Sequence, residues 1–417
     1  MATKTRDIGE LVDGARLWRR LMAMAEIGAT ANGGVNRPTL SPADNESRRL
    51  MLDWAKPLGL EASIDEVANL YLGRPGSDPE AAPVLIGSHL DSQPTGGKFD
   101  GAYGVLAALE ALEAIAEAGI ETRRPIEVVA WTNEEGSRFQ PGCMGSAVFA
   151  GALELAALRS VRDSAGVTVG AALEETLAGL AELPRRQGGF PVASYLEVHI
   201  EQGPRLEAAG NAIGAVTGIQ GSRRFGVEVL GAEAHAGTEP MPQRRDALKA
   251  ACQIVAALEQ ALADESDRVR FTVGRFEVFP GSPNTVPGRV FFTIDLRHPE
   301  QQTIDWLTAA IEPTALANAR GCEVRVEVRA SAAPVRFDAE VAALIRRRAE
   351  ALGLGHMELL SLAGHDAGPL SRVCPAGLIF VPFEKGISHN EAENAEPDDL
   401  TAGARVLASC LVALANR

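Results

Sequence analysis

The stretch Gly87–Val105, "GSHLDSQPTGGKFDGAYGV", decides how the rest of the chain is read. It continues the apolar run that begins "APVLIG" and leads into "LAALEALEAIAEAG", closed by Gly119. That order predicts a short buried strand, a glycine-rich loop and a helix. A phosphate cradle has the same outline, but the residues reject it. Ser92 stands where a Walker loop needs its first glycine, Phe99 where it needs Ser or Thr, and no G-x-G-x-x-G occurs. A metal site fits better. His89 falls at the carboxyl end of the strand, where open α/β sheets bind ligands. Asp91 is expected to hydrogen-bond the far nitrogen of His89, and Asp100 to approach from a loop whose small residues let the backbone come close.

Three other segments repeat the pattern of an apolar run ending in ligand-type residues. "PIEVVAWTNEE" ends in Glu134 and Glu135; "SYLEVHIEQGP" carries His199, Glu201 and Gln202; "GLIFVPF" is followed by "GISHNEAE" with His389. Adjacent buried carboxylates repel unless a cation or a proton is shared. This assigns Glu135 to a metal and leaves Glu134 to take a proton from water. Three of the seven histidines lie in such contexts. With one carboxylate bridging, His89, Asp100 and His199 would hold one divalent ion, and Asp100, Glu135 and His389 a second. A donor set of imidazole and carboxylate suits Zn²⁺, Mn²⁺, Co²⁺ or Ni²⁺ without choosing among them.

At 417 residues the chain predicts two domains. Up to about residue 213 helices alternate with continuous apolar strands, implying an α/β domain with a mixed sheet covered by helices. Residues 214–332 read as β-α-β-β-α-β, a two-layer α+β module. The pattern of the first part returns from 333 to the final helix. The expected organisation is therefore a discontinuous domain, 1–213 and 333–417, interrupted by an inserted domain, 214–332. A formal net charge of −15 argues against nucleic-acid or anionic-membrane partners. No run approaches the roughly 18 apolar residues of a membrane span, and the charged N-terminus does not resemble a secretory signal. Five scattered cysteines form no C-x-x-C pair, so a cytoplasmic protein with reduced thiols is expected.

In order, "GSHLDSQPTGGKFDGAYGV", "WTNEEGSRF", "LEVHIEQGP", "GAEAHAGTEPMPQRRDAL", "PGSPNTVPGRVFFTIDLRHP" and "GISHNEAE" resemble the blocks of the N-carbamoyl-L-amino-acid hydrolases. These belong to the dinuclear metallo-amidohydrolases that include allantoate amidohydrolase and β-ureidopropionase. The resemblance covers nearly the whole chain. It implies that the inserted domain is a lid and dimerisation domain. It gives His235 the role of stabilising an oxyanion, from the partner subunit of a homodimer. Asn284 and Arg297 would hold the carboxylate of a small anionic amide substrate, and Gln202 would contact its amide or carbamoyl group. His365 and Asp366, in "LAGHDAGPL", would shape the site from behind, although Leu362 departs from the glycine commonly found in that block. "TGGKFDG" and "TNEEGSRF" look more like the carbamoyl-amino-acid and β-ureidopropionate branch than the allantoate branch. The implied reaction is hydrolysis of R–NH–CO–NH₂ to amine, CO₂ and ammonia. Two other classes compete. A thiol-dependent amidase would use Cys143, which has no histidine nearby in sequence. A non-catalytic binding protein of the same fold would be expected to have lost ligands or base.

Overall fold

The computed structural model describes residues 7–417, which divide into two compact units, one comprising residues up to Gly218 together with Arg336–Arg417, the other Ile219–Val335. The first junction lies later than residue 213. The strand Ile213–Ile219 pairs antiparallel with Ala376–Val381 and so continues the larger unit's sheet. The second junction, after Val335, lies three residues beyond the end of the exposed strand Glu323–Ala332, which completes the smaller unit's sheet.

The larger unit is a mixed α/β structure. Its sheet runs Glu61–Ile64, Leu70–Arg74, Ile126–Trp131, Val84–His89, Ser194–Ile200, Ala376–Val381, Ile213–Ile219, with His356–Ser361 also pairing the last. Four central strands, Ile126–Trp131, Val84–His89, Ser194–Ile200 and Ala376–Val381, are mutually parallel. Val84–His89 and Ser194–Ile200 are buried at every position, which explains why they read as unbroken apolar runs rather than alternating ones. Because the four are parallel, their carboxyl ends lie along one edge of the sheet. The loops that follow carry Asp91 and Asp100, Glu134 and Glu135, Gln202, and His389.

Ala102–Glu117 is buried on nearly all sides and packs against the strands, the helix Gly14–Ala25 and the C-terminal helix Pro397–Ala415. Its one deeply buried acid, Glu110, is neutralised by Arg16 at 2.7 Å. The N-terminal segment is divided into a 3₁₀ turn, Ile8–Leu11, and the helix Gly14–Ala25, each capped by an aspartate, Asp7 and Asp13. The next helix, Pro42–Ala55, begins behind the Ser41 cap and tightens into a 3₁₀ turn at Lys56–Leu58.

The smaller unit has an antiparallel sheet in the order Phe276–Phe279, Arg289–His298, Gly221–Leu230, Glu323–Ala332. Arg270–Thr272 adds to Arg289–His298 through Asp295–Arg297, beyond the reach of Phe276–Phe279. Phe225, Val227, Val229, Val290, Phe292, Ile294 and Leu296 share a core with Ile254 and Leu258 of the helix Ala247–Ala261 and Leu307 and Ile311 of Gln301–Ala317. The alternate positions, among them Arg224, Glu228, Arg289, Asp295 and Arg297, face the other way. A separate ribbon pairs Ala234–His235 with Thr285–Val286.

Arg37 fastens the N-terminal strap to the strand end at His89. Fully buried, it donates from Nε to the Leu90 carbonyl at 2.6 Å and from Nη1 to those of Met24 and Ile27 at 3.0 Å. Arg37→Met keeps much of the volume but takes their donor from the Leu90 and Ile27 carbonyls in the interior, while the Met24 carbonyl keeps the Ile27 N–H at 3.2 Å. A stability loss of about 3 kcal/mol is expected in urea unfolding; an unchanged midpoint would show that the carbonyls find other partners.

Candidate metal centre

Asp100 is the meeting point of the site. Its Oδ1 lies 3.1 Å from His199 Nε2 and 3.6 Å from His89 Nε2. Its Oδ2 lies 3.5 Å from His389 Nε2, which is itself 3.4 Å from Glu135 Oε2. The donor atoms of His89, Asp100 and His199 all fall within 4.8 Å of one another, as do those of Asp100, Glu135 and His389. The two groups share only Asp100, one oxygen turned to each.

The main chain selects which imidazole nitrogen faces the centre. His89 Nδ1 donates to the Asp91 carbonyl and His199 Nδ1 to the Ile200 carbonyl, each at 2.9 Å, leaving Nε2 of both rings turned towards Asp100. This corrects the expectation for Asp91. Its carboxylate is 3.8 Å from His89 Nδ1 and instead accepts the backbone N–H groups of Glu134 at 3.2 Å and Glu135 at 3.3 Å. Asp91 therefore shapes the two-glutamate turn while its carbonyl orients His89. Gly101, at φ +66°, brings the chain past the His89 ring so closely that a Cβ there would lie 2.3 Å from it.

Glu134 puts Oε2 3.6 Å from His89 Nε2 and accepts the Cys143 thiol on Oε1 at 3.2 Å. Burial raises the Glu134 pKa well above the usual range, helped by Asp366, Glu135 and Asp100, although His89 pulls the other way. Burial and Asp100 push Glu135 up to about 8. Burial opposes charge on His89, yet Glu134, Asp100 and Asp91 raise its pKa well above the ordinary value. This set of buried carboxylates calls for positive charge, and imidazole with carboxylate is the donor chemistry that divalent cations accept. The residues present fit such a group. A third set, Glu197, His199 and His365, shares His199 with the first. Its Glu197 is already taken by Ser88 Oγ at 2.7 Å and the Ala367 N–H at 2.9 Å, so it serves as support.

A family model described as Peptidase family M20/M25/M40 matches residues 85–413. The chain belongs to that family. It is 42% identical to an N-carbamoyl-L-amino-acid amidohydrolase of Rhizobium meliloti over 398 residues, 95% of each chain. It is 38% identical to an N-carbamoyl-L-amino acid amidohydrolase of Geobacillus stearothermophilus over 401 residues, 95% of this chain and 97% of that one. The crystal structure of an amidase of the hydantoinase/carbamoylase family from Burkholderia multivorans superposes with a TM-score of 0.90 at 45% identity, covering 97% and 98% of the two chains.

In this M20 chain the remaining expected residues take distinct places. Gln202, at φ +54°, donates from Nε2 to Asp100 Oδ2 at 2.7 Å and to Ser388 Oγ at 3.2 Å, so its amide holds the shared carboxylate. His365 is buried against His199, ring centroids 4.6 Å apart, with Nε2 3.1 Å from Ser361 Oγ. Asp366 is buried and accepts Ser146 Oγ at 2.5 Å. His235, Asn284 and Arg297 belong to the smaller unit. His235 and Asn284 meet on the ribbon, where the Ala236 N–H donates to the Asn284 carbonyl at 3.0 Å. Arg297 is held by Asp295 through Nε at 2.7 Å and Nη2 at 3.2 Å.

Residues that drew no attention in the sequence complete the site. Gln93 donates its backbone N–H and its amide to the two oxygens of Glu135, at 3.2 and 2.8 Å, and Ser388 Oγ donates to Asp100 Oδ2 at 3.1 Å. Their only signal was a position inside the quoted blocks. Cys143 is a poor nucleophile: burial, with Glu134 and Asp366 nearby, holds its thiol well above the usual range.

Gly101→Ala forces a strained backbone and displaces the His89 ring, so affinity for divalent metal should fall about 10–100-fold, read by metal analysis after equilibrium dialysis. Wild-type metal content in a folded Gly101→Ala protein would remove the constraint assigned to this glycine.

Proposed function

We propose that the chain is a dinuclear metal-dependent amidohydrolase that cleaves the ureido C–N bond of N-carbamoyl-L-amino acids, yielding L-amino acid, CO₂ and ammonia. The observation that carries this reading is the pair of donor groups sharing Asp100, with Glu134 beside them. The names of the most similar relatives supply the substrate class. His89, Asp100 and His199 would hold one ion and Asp100, Glu135 and His389 the other. When bound, the two divalent cations supply Lewis acidity and acidify water.

Glu134 takes a proton from the attacking water and returns it to the leaving nitrogen. Whichever C–N bond of the ureido group breaks first, the product is a carbamate, which loses CO₂. His235 is assigned to the developing oxyanion. Its Nδ1 accepts the N–H groups of Gly237 at 3.0 Å and Thr238 at 3.2 Å, which puts the ring proton on Nε2 as a donor. Arg297, oriented by Asp295, and Asn284 are assigned to the substrate carboxylate, a contact that lets an acidic protein take an anion. A cytoplasmic location is part of the proposal; among the described residues no helix is long and apolar enough to cross a membrane.

We further assign a homodimer, with His235 acting in the partner's site. Support comes from the edge strand Glu323–Ala332, paired only with Gly221–Leu230 among the described residues. Val328 on it is 54% exposed. The sequence "EVRVEVR" is self-complementary: a two-fold axis at Val326 sets Glu323 against Arg329, Val324 against Val328 and Arg325 against Glu327. Arg325→Glu would set two pairs of like charges across that axis. It is expected to shift sedimentation from dimer to monomer, with turnover falling in step; a fully active monomer would remove the partner role from His235.

The decisive experiment measures ammonia release after chelation and reloading with Mn²⁺, Zn²⁺, Co²⁺ or Ni²⁺. Substrates are N-carbamoyl-L- and D-amino acids, N-carbamoyl-β-alanine and allantoate. Turnover is expected only with metal and chiefly on the L-carbamoyl compounds. Preference for N-carbamoyl-β-alanine or allantoate would move the substrate to a sister branch. Glu134→Gln should lose about 10²–10⁴-fold in kcat with metal still bound; near wild-type turnover would overturn the role of this glutamate.

A further inference from the structure

Glu393 follows His389 by four residues in the loop "GISHNEAE" and turns back into the protein. It is 3% exposed, and its Oε1 accepts two successive backbone N–H groups, Phe99 at 2.9 Å and Asp100 at 3.1 Å. Only glycine admits it at residue 97, where a Cβ would lie 2.0 Å from its carboxyl carbon. Oε2 is buried with no hydrogen-bond partner among the described residues. Two residues earlier, Glu391 accepts Asn32 Nδ2 at 2.8 Å. The loop is thus tied down on the far side of His389, which itself is 51% exposed in its side chain and has φ +53°.

These observations converge on one arrangement. Asp100 is the shared donor, and its backbone is held by a carboxylate from the same short loop that delivers His389. We propose that Glu393 is a positioning residue: its side chain fixes the Phe99–Asp100 turn and so sets Asp100 Oδ2 and His389 at the separation the second ion requires. The inference rests on the dinuclear reading above. Glu393 touches neither substrate nor ion. It acts through main-chain acceptance alone, so glutamine can replace it and alanine cannot. The first donor group keeps two buried imidazoles, His89 and His199, whereas the second depends on Asp100 and the exposed His389, so loss of Glu393 falls mainly on the second.

The test compares Glu393→Ala and Glu393→Gln with the wild type, all as apoprotein with unchanged near-UV circular dichroism. Hydrogen exchange reads the turn directly: the Phe99 and Asp100 amides should lose protection in Glu393→Ala and keep it in Glu393→Gln. Titration with Co²⁺, followed by visible absorption, reads the centre. The second equivalent should weaken about 10–100-fold in Glu393→Ala, more than the first, and bind as in the wild type in Glu393→Gln. Wild-type exchange and wild-type Co²⁺ binding in Glu393→Ala would overturn the proposal. So would equal damage in both variants, which would point to the charge rather than to the hydrogen bonds. A wild type that binds fewer than two equivalents would defeat the dinuclear reading instead, while the exchange of the Asp100 amide still decides what Glu393 does.

Discussion

Two oxygens of a single carboxylate, Asp100, face separate imidazole groups in the interior, and the surroundings are arranged to keep that charge where it is. A carboxylate removed from water needs compensation from every side. Here it comes from His199 and His89 on one oxygen and from Gln202, Ser388 and His389 around the other. Burial opposes the ionised form, but the two histidines bring the Asp100 pKa well below the ordinary carboxylate value. The parallel strands bring the loops that carry these residues to one edge, and the buried helix Ala102–Glu117 starts almost at Asp100, so the carboxylate is anchored to an element buried in the core.

Around this ion the structure gathers more acid than imidazole can balance. Asp91 is pushed up to about 6 by burial, and Glu135 and Glu393 to about 8 by burial and by Asp100. Such crowding has no evident value for stability alone. It is intelligible as a receptacle for cations, the donor chemistry of buried carboxylate and imidazole being what divalent ions accept. The smaller unit solves a different problem: one face of its sheet is dry and packed on two helices, and the other is laid out with arginines and acids.

Much of this was legible in the sequence because burial on both faces writes strands as unbroken apolar runs, and a histidine or a pair of acids at the end of such a run stands out. His89, Glu134, Glu135, His199 and His389 stand out this way, Asp100 stands out in the glycine-rich loop, and the structure brings their side chains together. The edge strand Glu61–Ile64 and its neighbour Leu70–Arg74 do not stand out, being short and, in the first case, only partly buried. Asp91 was found but given the wrong atom, since one residue offers both a carboxylate and a carbonyl and periodicity cannot say which faces the imidazole. Gln93 and Glu393 escaped because a polar side chain in a glycine-rich or acidic loop reads as solvated. Only the three-dimensional path of Gly97 and Gly101 shows that these loops turn inwards. The domain junctions moved by a few residues because pairing partners distant in sequence, such as Ala376–Val381, decide where a strand belongs.

The histidine orientations carry a wider implication. At both His89 and His199 the ring is locked by a carbonyl of the polypeptide itself, belonging to Asp91 and Ile200. No side-chain substitution deletes a carbonyl. The choice of which nitrogen faces Asp100 therefore survives drift at neighbouring positions, so long as the strands still end where they do. Residue 91 is freed to serve the glutamate turn, and selection for a new substrate can rework the loops without having to rediscover the tautomer.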